Sequence, residues 1–267
     1  MTLHYDIPSL VPYINWPYFY HAWQLRAPAE QQRMRQEAEA FLTEVSGRYK
    51  AHALFLLLDV HAEGDDIVVD RAGEQPSGEP LRLPLLRQQS GRPPFLCLSD
   101  FIHPEKDRLG VFATTVDMGM ETDSGHDPYQ KMMAQLLADR LAEAAAECLH
   151  EAVRKHYWGY APDEQLTMDD LHQERFVGIR PAVGYPSLPD ASLNFLLDRL
   201  LGFQQIGLRL TESGAMRPHA SVSGLMIAHP EARYFAVGKI GQDQLADYAR
   251  RRGVPVALAR KFLSSSL

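Results

Sequence analysis

Cysteine is scarce: Cys97 and Cys148 are the only two in 267 residues, far apart and each among apolar neighbours. That excludes a disulfide framework and a thiolate zinc site, and both are expected to be buried fillers. Basic charge is not in surplus either, since 27 Lys and Arg face 34 Asp and Glu for a formal charge of −7. A phosphate backbone would meet no positive field, so no nucleic-acid partner is expected. No apolar run approaches the ~20 residues that span a bilayer, and Met1 to Leu10 has no basic start. No membrane association is expected, and a cytoplasmic location is. Also missing are a nucleophile elbow, a P-loop, a zinc-protease helix and a G-x-G-x-x-G after a strand. An ordinary doubly wound nucleotide or methyltransferase site is thereby excluded. No repeat of about 20 to 50 residues points to a solenoid.

What is present suits a large core: 45% of the residues are hydrophobic, enough for one large domain or two small ones. Met34, Ala38, Phe41, Leu42 and Val45 recur at helical spacing within Glu30 to Arg48, and AHALFLLLDV (Ala51 to Val60) reads as a buried strand. Gly64 and Asp65 mark a turn into Ile67 to Asp70. Residues 71–94, rich in Gly, Pro, Glu and Arg with an apolar interruption at Leu81 to Leu86, are expected to be a mobile loop, and Leu109 to Val116 a further strand. The strongest element opens on Asp127 as a capping carboxylate, has Pro128 at its first position and runs to Trp158, ended by Gly159. It is expected to be a helix of roughly 28 to 30 residues, ~43 Å long. Met133, Leu137, Leu141, Ala144, Cys148 and Ala152 share one face; Asp139, Glu143, Glu147, His150 and Arg154 form an opposite, polar one. Downstream, Glu164 to Arg175, Leu193 to Phe203, Gln242 to Arg252 and Val256 to Leu263 read as helices, and Leu208 to Thr211, Ala220 to Ala228 and Tyr234 to Ile240 as strands. Strands adjacent in sequence with helices set apart predict an α+β fold with a mostly antiparallel sheet.

Two segments invite a functional reading. In YINWPYFYHAW (Tyr13 to Trp23) six of eleven residues are aromatic; these rings either anchor the N-terminal arm, about residues 1–25, on the core or wall a pocket for a flat ligand. GIRPAVGYP (Gly178 to Pro186) combines two stiffening prolines with a glycine that admits close backbone approach. In it Arg180 can grip a carboxylate and Tyr185 can stack or donate a hydrogen bond. Equally, the segment can be a stiff connector with Arg180 pairing a surface acid.

These two segments, with LSDFIHP, LADRLAEAAAECLHEAVRKHYWGYAPDEQL, LTESGAMRPHASVSG and HPEARYFAV, resemble in order and spacing the activation domain of cobalamin-dependent methionine synthase, from about Tyr13 almost to the C-terminus. The resemblance implies a single C-shaped α+β domain with a twisted, mostly antiparallel sheet and a long central helix. It implies S-adenosylmethionine bound in a shallow groove by Arg180, Ala182 and Gly184, with Tyr185 facing the cobalamin and with Glu143 and Tyr234 as further contacts. Asn15 stands where the family usually has a ligand-binding aspartate, Leu188 and Ala191 where it has Cys and His, and Arg217 and His219 where it has Trp and Gly.

The function implied is reactivation: reductive methylation of cob(II)alamin by S-adenosylmethionine, with the electron from flavodoxin or another reductase. The chain has no D-x-H-x-x-G cobalamin motif and no zinc-thiolate set, so it is expected to be an accessory subunit, inactive alone, whose partner is a cobalamin-binding methionine synthase core on another chain. The methyl acceptor is cobalt, so no catalytic base and no metal ligand is expected. The alternative is a non-catalytic binding or scaffold paralogue acting on a corrinoid protein, a reading that Asn15, Leu188 and Ala191 motivate.

Overall fold

The apolar run AHALFLLLDV is a strand with two buried faces. Ala51, Ala53 and Phe55 point into one core, while Leu54, Leu58 and Val60 point into another, as the two-residue repeat of a strand requires. The computed structural model describes residues 1–70, 80–123 and 127–267. In chain order its elements are β1 (Thr2–Asp6), α1 (Ile7–Leu10), α2 (Trp16–Ala22), α3 (Pro28–Val45), β2 (Lys50–Glu63), β3 (Asp66–Val69), β4 (Leu81–Pro84) and β5 (Asp107–Val116). Next come α4 (Gly119–Thr122), α5 (Pro128–Ala152), α6 (Met168–His172), α7 (Asn194–Leu201), β6 (Arg209–Leu210), β7 (Met216–Arg217), β8 (Ser221–Met226), α8 (Gln242–Arg252) and α9 (Val256–Phe262).

The sheet runs β4-β3-β2-β5-β8, with β1 added beside the first half of β2. Every pairing is antiparallel. The long helix α5 covers one face of this sheet and α7 the other. The fold is therefore α+β with one long central helix, as the sequence predicts. The segment expected to be an N-terminal arm is tied in: β1 extends the sheet, and Ile7, Leu10, Ile14, Trp16 and Phe19 are buried in the α5 core. The stretch 71–94, expected to be a mobile loop, lies outside the described residues at 71–79; beyond them Leu81–Pro84 pairs with β3 as β4.

Helix α5 begins as its sequence dictates. Asp127 Oδ1 accepts the Tyr129 N–H at 3.0 Å, and Pro128 follows the cap. The α-helix is 25 residues long and continues into a five-residue π-helical turn, Val153–Tyr157. Ala138, Ala142 and Ala145 are wholly buried and let it sit close to the sheet, where Thr114 Oγ1 donates to the Ala142 carbonyl at 3.0 Å. Each fully buried leucine among Leu137, Leu141 and Leu149 adds roughly 1.5 to 3 kcal/mol of apolar burial.

The polar face of α5 is not a solvated one. His150 and Arg154 are 0% exposed and Glu147 is 9% exposed, because the chain that follows the helix folds back over this side. Glu164 takes Arg154 Nε and Nη2 at 2.8 and 2.7 Å, and the Phe176 ring meets His150 edge-on at 4.7 Å. Charge at helical spacing marks a solvent face only when no other segment roofs it.

Three further expectations change. The helix expected over Glu164 to Arg175 is only α6, since a capping box fixes its start at Thr167: Thr167 Oγ1 accepts the Asp170 N–H, and the Asp170 carboxylate accepts the Thr167 N–H. Tyr234 to Ile240 is irregular and joins no sheet, with Gly238 at φ +73; the Phe235 N–H donates to Ser187 Oγ and the Val237 N–H to the Pro186 carbonyl. Of Leu208 to Thr211, only Arg209–Leu210 is strand, paired with β7.

Candidate functional site

The segment GIRPAVGYP lies along β8, the edge strand of the sheet. Ile179 bridges Ile227 and Ala182 bridges Gly224, with the Val183 N–H donating to the Ser223 carbonyl and the Leu225 N–H to the Pro181 carbonyl. Gly224 makes this fit possible, for a Cβ there would lie 2.2 Å from the Pro181 oxygen. Past Ala182 the chain turns: Gly184 has φ +89, its N–H donates to the Leu188 carbonyl at 2.8 Å, and the Tyr185 N–H donates to the Ala182 carbonyl at 3.2 Å. A positive φ of this kind favours glycine. Tyr185 is left 53% exposed on the outer side of the turn.

From this position the loop meets two other segments. Arg180 Nη2 pairs with Glu147 Oε2 of α5 at 2.9 Å, the Arg180 N–H donates to the Tyr234 hydroxyl at 2.9 Å, and the Tyr185 hydroxyl donates to Glu143 Oε1 at 2.9 Å. Thus Arg180, Tyr185, Glu143 and Tyr234, singled out at separate places in the sequence, form one cluster, with Ala182 and Gly184 on the loop between them. Glu143 and Glu147 are one helical turn apart on the same stripe of α5, which explains how one helix serves both ends of the loop.

Asn15 carries no direct link to that cluster among the described residues. It precedes α2 and makes no capping bond. Its neighbours locate it: the Tyr13 hydroxyl donates to Glu151 Oε2 at 2.6 Å, and the Arg140 guanidinium carbon is 5.9 Å from the Tyr18 ring centre. Asn15 therefore lies on a strand of chain passing beside the Arg140-to-Glu151 stretch of α5, the stretch that carries Glu143 and Glu147. The aromatic residues around it divide: Trp16 and Phe19 anchor in the core, and Tyr18 is exposed.

The electrostatics favour a positively charged ligand. Around Arg180 stand Glu143, Glu147 and Glu174, with Arg140 a second guanidinium that acts on Tyr185. Burial works against the charge of Arg180, but Glu147, Tyr234 and Glu143 together hold it more firmly protonated than a free arginine. Desolvation raises the Glu174 carboxyl above its ordinary value, with Arg180 opposing and Glu147 adding. The Tyr185 phenol is pushed up to about 12, by Glu143 first and burial second. Burial pushes Tyr234 up to about 12 against the pull of Arg180. Both phenols are hydrogen-bond donors and acceptors rather than bases at neutral pH.

Glu147 and Glu174 were not among the residues expected at the site. Glu147 had a readable signal, one turn after Glu143; Glu174 had none, because it is brought in by the turn after α6, where it takes φ +55. Of the positions that differ from the resembling family, Leu188 is buried in the α7 core, while Arg217 and His219 are exposed and His219 Nδ1 lies 3.4 Å from Asp139 Oδ1 of α5. One concavity lies around Tyr49 and Met120, another between Glu63, Arg82 and Asp247, and a small apolar one beneath the loop is lined by Val183 and Leu188. Within the cluster Glu147 is buried, whereas Tyr234 and Tyr185 are exposed at its outer side.

Comparison with known proteins gives the family and the fold. The sequence model of the family described as the vitamin B12 dependent methionine synthase activation domain matches residues 6–253. A solved structure described as the MetH reactivation domain bound to AdoHcy superposes with a TM-score of 0.92 at 37% sequence identity, covering 100% of this chain and 90% of that one.

Proposed function

The chain belongs to the activation-domain family of vitamin B12 dependent methionine synthase, and on that premise we propose that this cluster binds S-adenosylmethionine and presents the methyl group to a cobalamin held by a partner chain. One observation carries the reading: three segments distant in sequence meet at Arg180, Tyr185, Glu143 and Tyr234 through hydrogen bonds of 2.9 Å. The charge set suits the ligand, since three carboxylates against the guanidinium groups of Arg180 and Arg140 leave a net negative field for a sulfonium and an ammonium. The AdoHcy carried by the similar solved domain is the same adenosyl ligand after loss of its methyl group.

In this reading S-adenosylmethionine supplies the methyl on a sulfonium, and the cob(II)alamin of a methionine synthase core is the substrate. One electron, from flavodoxin or another reductase, and one methyl cation convert it to methylcobalamin and leave S-adenosylhomocysteine. The protein abstracts no proton. Its residues hold the donor in place, a proximity effect: Arg180 faces the carboxylate, Glu143 a ribose or ammonium group, and the backbone of Ala182 and Gly184 the remaining polar edges. Asn15 is assigned to the cationic end of the ligand, sulfonium or ammonium, and Tyr185, exposed at the rim, faces the corrinoid.

The test uses a cobalamin-loaded core in the cob(II) state with reductant and S-adenosylmethionine. Adding this protein is expected to convert the cob(II)alamin absorption spectrum to that of methylcobalamin, and omitting either the protein or the methyl donor is expected to stop it. Binding of the corrinoid protein without any spectral conversion would instead support the binding or scaffold alternative that Asn15 motivates.

A further inference from the structure

The pair formed by Glu147 and Arg180 is only half used. Its contact is Glu147 Oε2 to Arg180 Nη2 at 2.9 Å, whereas Glu147 Oε1 and Arg180 Nε are buried with no hydrogen-bond partner. Glu147 is only 9% exposed, so bulk solvent does not complete it. An unmade buried hydrogen bond leaves the full desolvation cost of the group uncompensated, and that cost is larger for a charged group. Such groups call for a specific reason for their retention. The complement of an unpaired anionic acceptor beside an unpaired cationic donor is a molecule with a positive donor next to a negative acceptor. The ammonium and carboxylate of an α-amino acid have that arrangement.

We propose that Glu147 binds the ammonium of the ligand's amino-acid end while Arg180 takes the adjacent carboxylate, so that the groove selects an adenosyl ligand by its zwitterionic head. This rests on the S-adenosylmethionine reading of the groove and assigns within it a residue that reading leaves without a role. The other carboxylates are placed for different work. Glu143 Oε1 is already engaged by the Tyr185 hydroxyl at 2.9 Å, which leaves Glu143 to the ribose, and Asn15 carries no charge. Glu147 also stands on the long helix α5, where Ala146 and Leu149 are wholly buried. A rigid support of this kind fixes the direction of a binding carboxylate.

The probes are S-adenosylhomocysteine and its desamino analogue, neither of which carries a sulfonium, titrated calorimetrically into the wild type and Glu147→Gln. The wild type is expected to bind S-adenosylhomocysteine at least about tenfold more tightly than the analogue. In Glu147→Gln that preference is expected to collapse to near unity. Glu147→Asp keeps the charge on a shorter arm and is expected to retain part of the preference; it replaces Glu147→Gln as the test if that variant does not fold. Equal weakening of both ligands would make Glu147 a purely structural partner of Arg180 and overturn the proposal, as would an undiminished preference. If the wild type binds neither ligand, the S-adenosylmethionine reading falls and this inference falls with it.

Discussion

Asn15 is where a single charge separates this chain from the pattern it resembles. If its neighbour is the cationic end of the ligand, Asn15→Asp adds an attraction that reaches roughly 4 kcal/mol at about 4 Å and an effective dielectric near 20, before desolvation is subtracted. A net gain of about 1 kcal/mol, or roughly fivefold tighter S-adenosylmethionine binding by calorimetry, is expected, and it should shrink in high salt. S-adenosylhomocysteine is the control and should gain less when the sulfonium is the partner; no gain for either ligand would put Asn15 outside the groove. His150 gives a prediction of another kind. Burial first, then the charges of Arg154 and Arg180, hold its imidazole well below the ordinary value, so it is neutral in the fold but protonates in the unfolded chain near pH 6.5. The unfolded state then binds the extra proton, and stability falls as pH drops below about 6.5, by about 1.4 kcal/mol per unit from this residue until the folded imidazole titrates. Urea unfolding at two pH values in that window should show a shallower dependence for His150→Gln; an identical slope would mean that His150 is not the group responsible.

At the scale of elements, the loop and β8 depend on one missing side chain. Gly224→Ala would place a Cβ 2.2 Å from the Pro181 oxygen and 2.9 Å from Ala182 Cα, both backbone atoms, so the Gly178 to Pro186 loop has to lift off the strand. Loss of about 1 to 3 kcal/mol in thermal or denaturant unfolding is expected, with weaker adenosyl-ligand binding alongside; an unperturbed melt and affinity would show that the loop tolerates a looser seat. The same elements show how far sequence pattern reaches. Helix α5 is legible because Asp127, Pro128 and an alanine-rich run act locally, and β2 because its apolar residues alternate between two cores. The inward turn of His150 and Arg154 is not legible, since it depends on Glu164 and Phe176 folding back from later in the chain. Strand β4 is hidden by its Gly- and Pro-rich surroundings, and Tyr234 to Ile240 has a strand composition but bonds to Pro186 and Ser187 of the loop instead of a strand. At the site, the GIRPAVGYP segment and Glu143 are readable through the family pattern, whereas the pairing of Arg180 with Glu147 is a tertiary contact that no local spacing specifies.

On the scale of the whole molecule, a sheet covered by α5 on one face and α7 on the other leaves the β8 edge as the place where a loop can be laid down and a ligand held between loop and helix. The account stands on that edge being an S-adenosylmethionine site centred on Arg180. Removing Arg180 takes away a charge-assisted contact and leaves Glu147 buried beside nothing, so Arg180→Ala is expected to lower the melting temperature as well. The most direct measurement is a calorimetric titration of S-adenosylmethionine into the wild type and into Arg180→Ala, at a temperature where both are folded. The account predicts saturable one-site binding to the wild type, weakened in the variant by about 1.5 to 3 kcal/mol; a dissociation constant unchanged by the substitution, or no binding to the wild type at millimolar ligand, would contradict it.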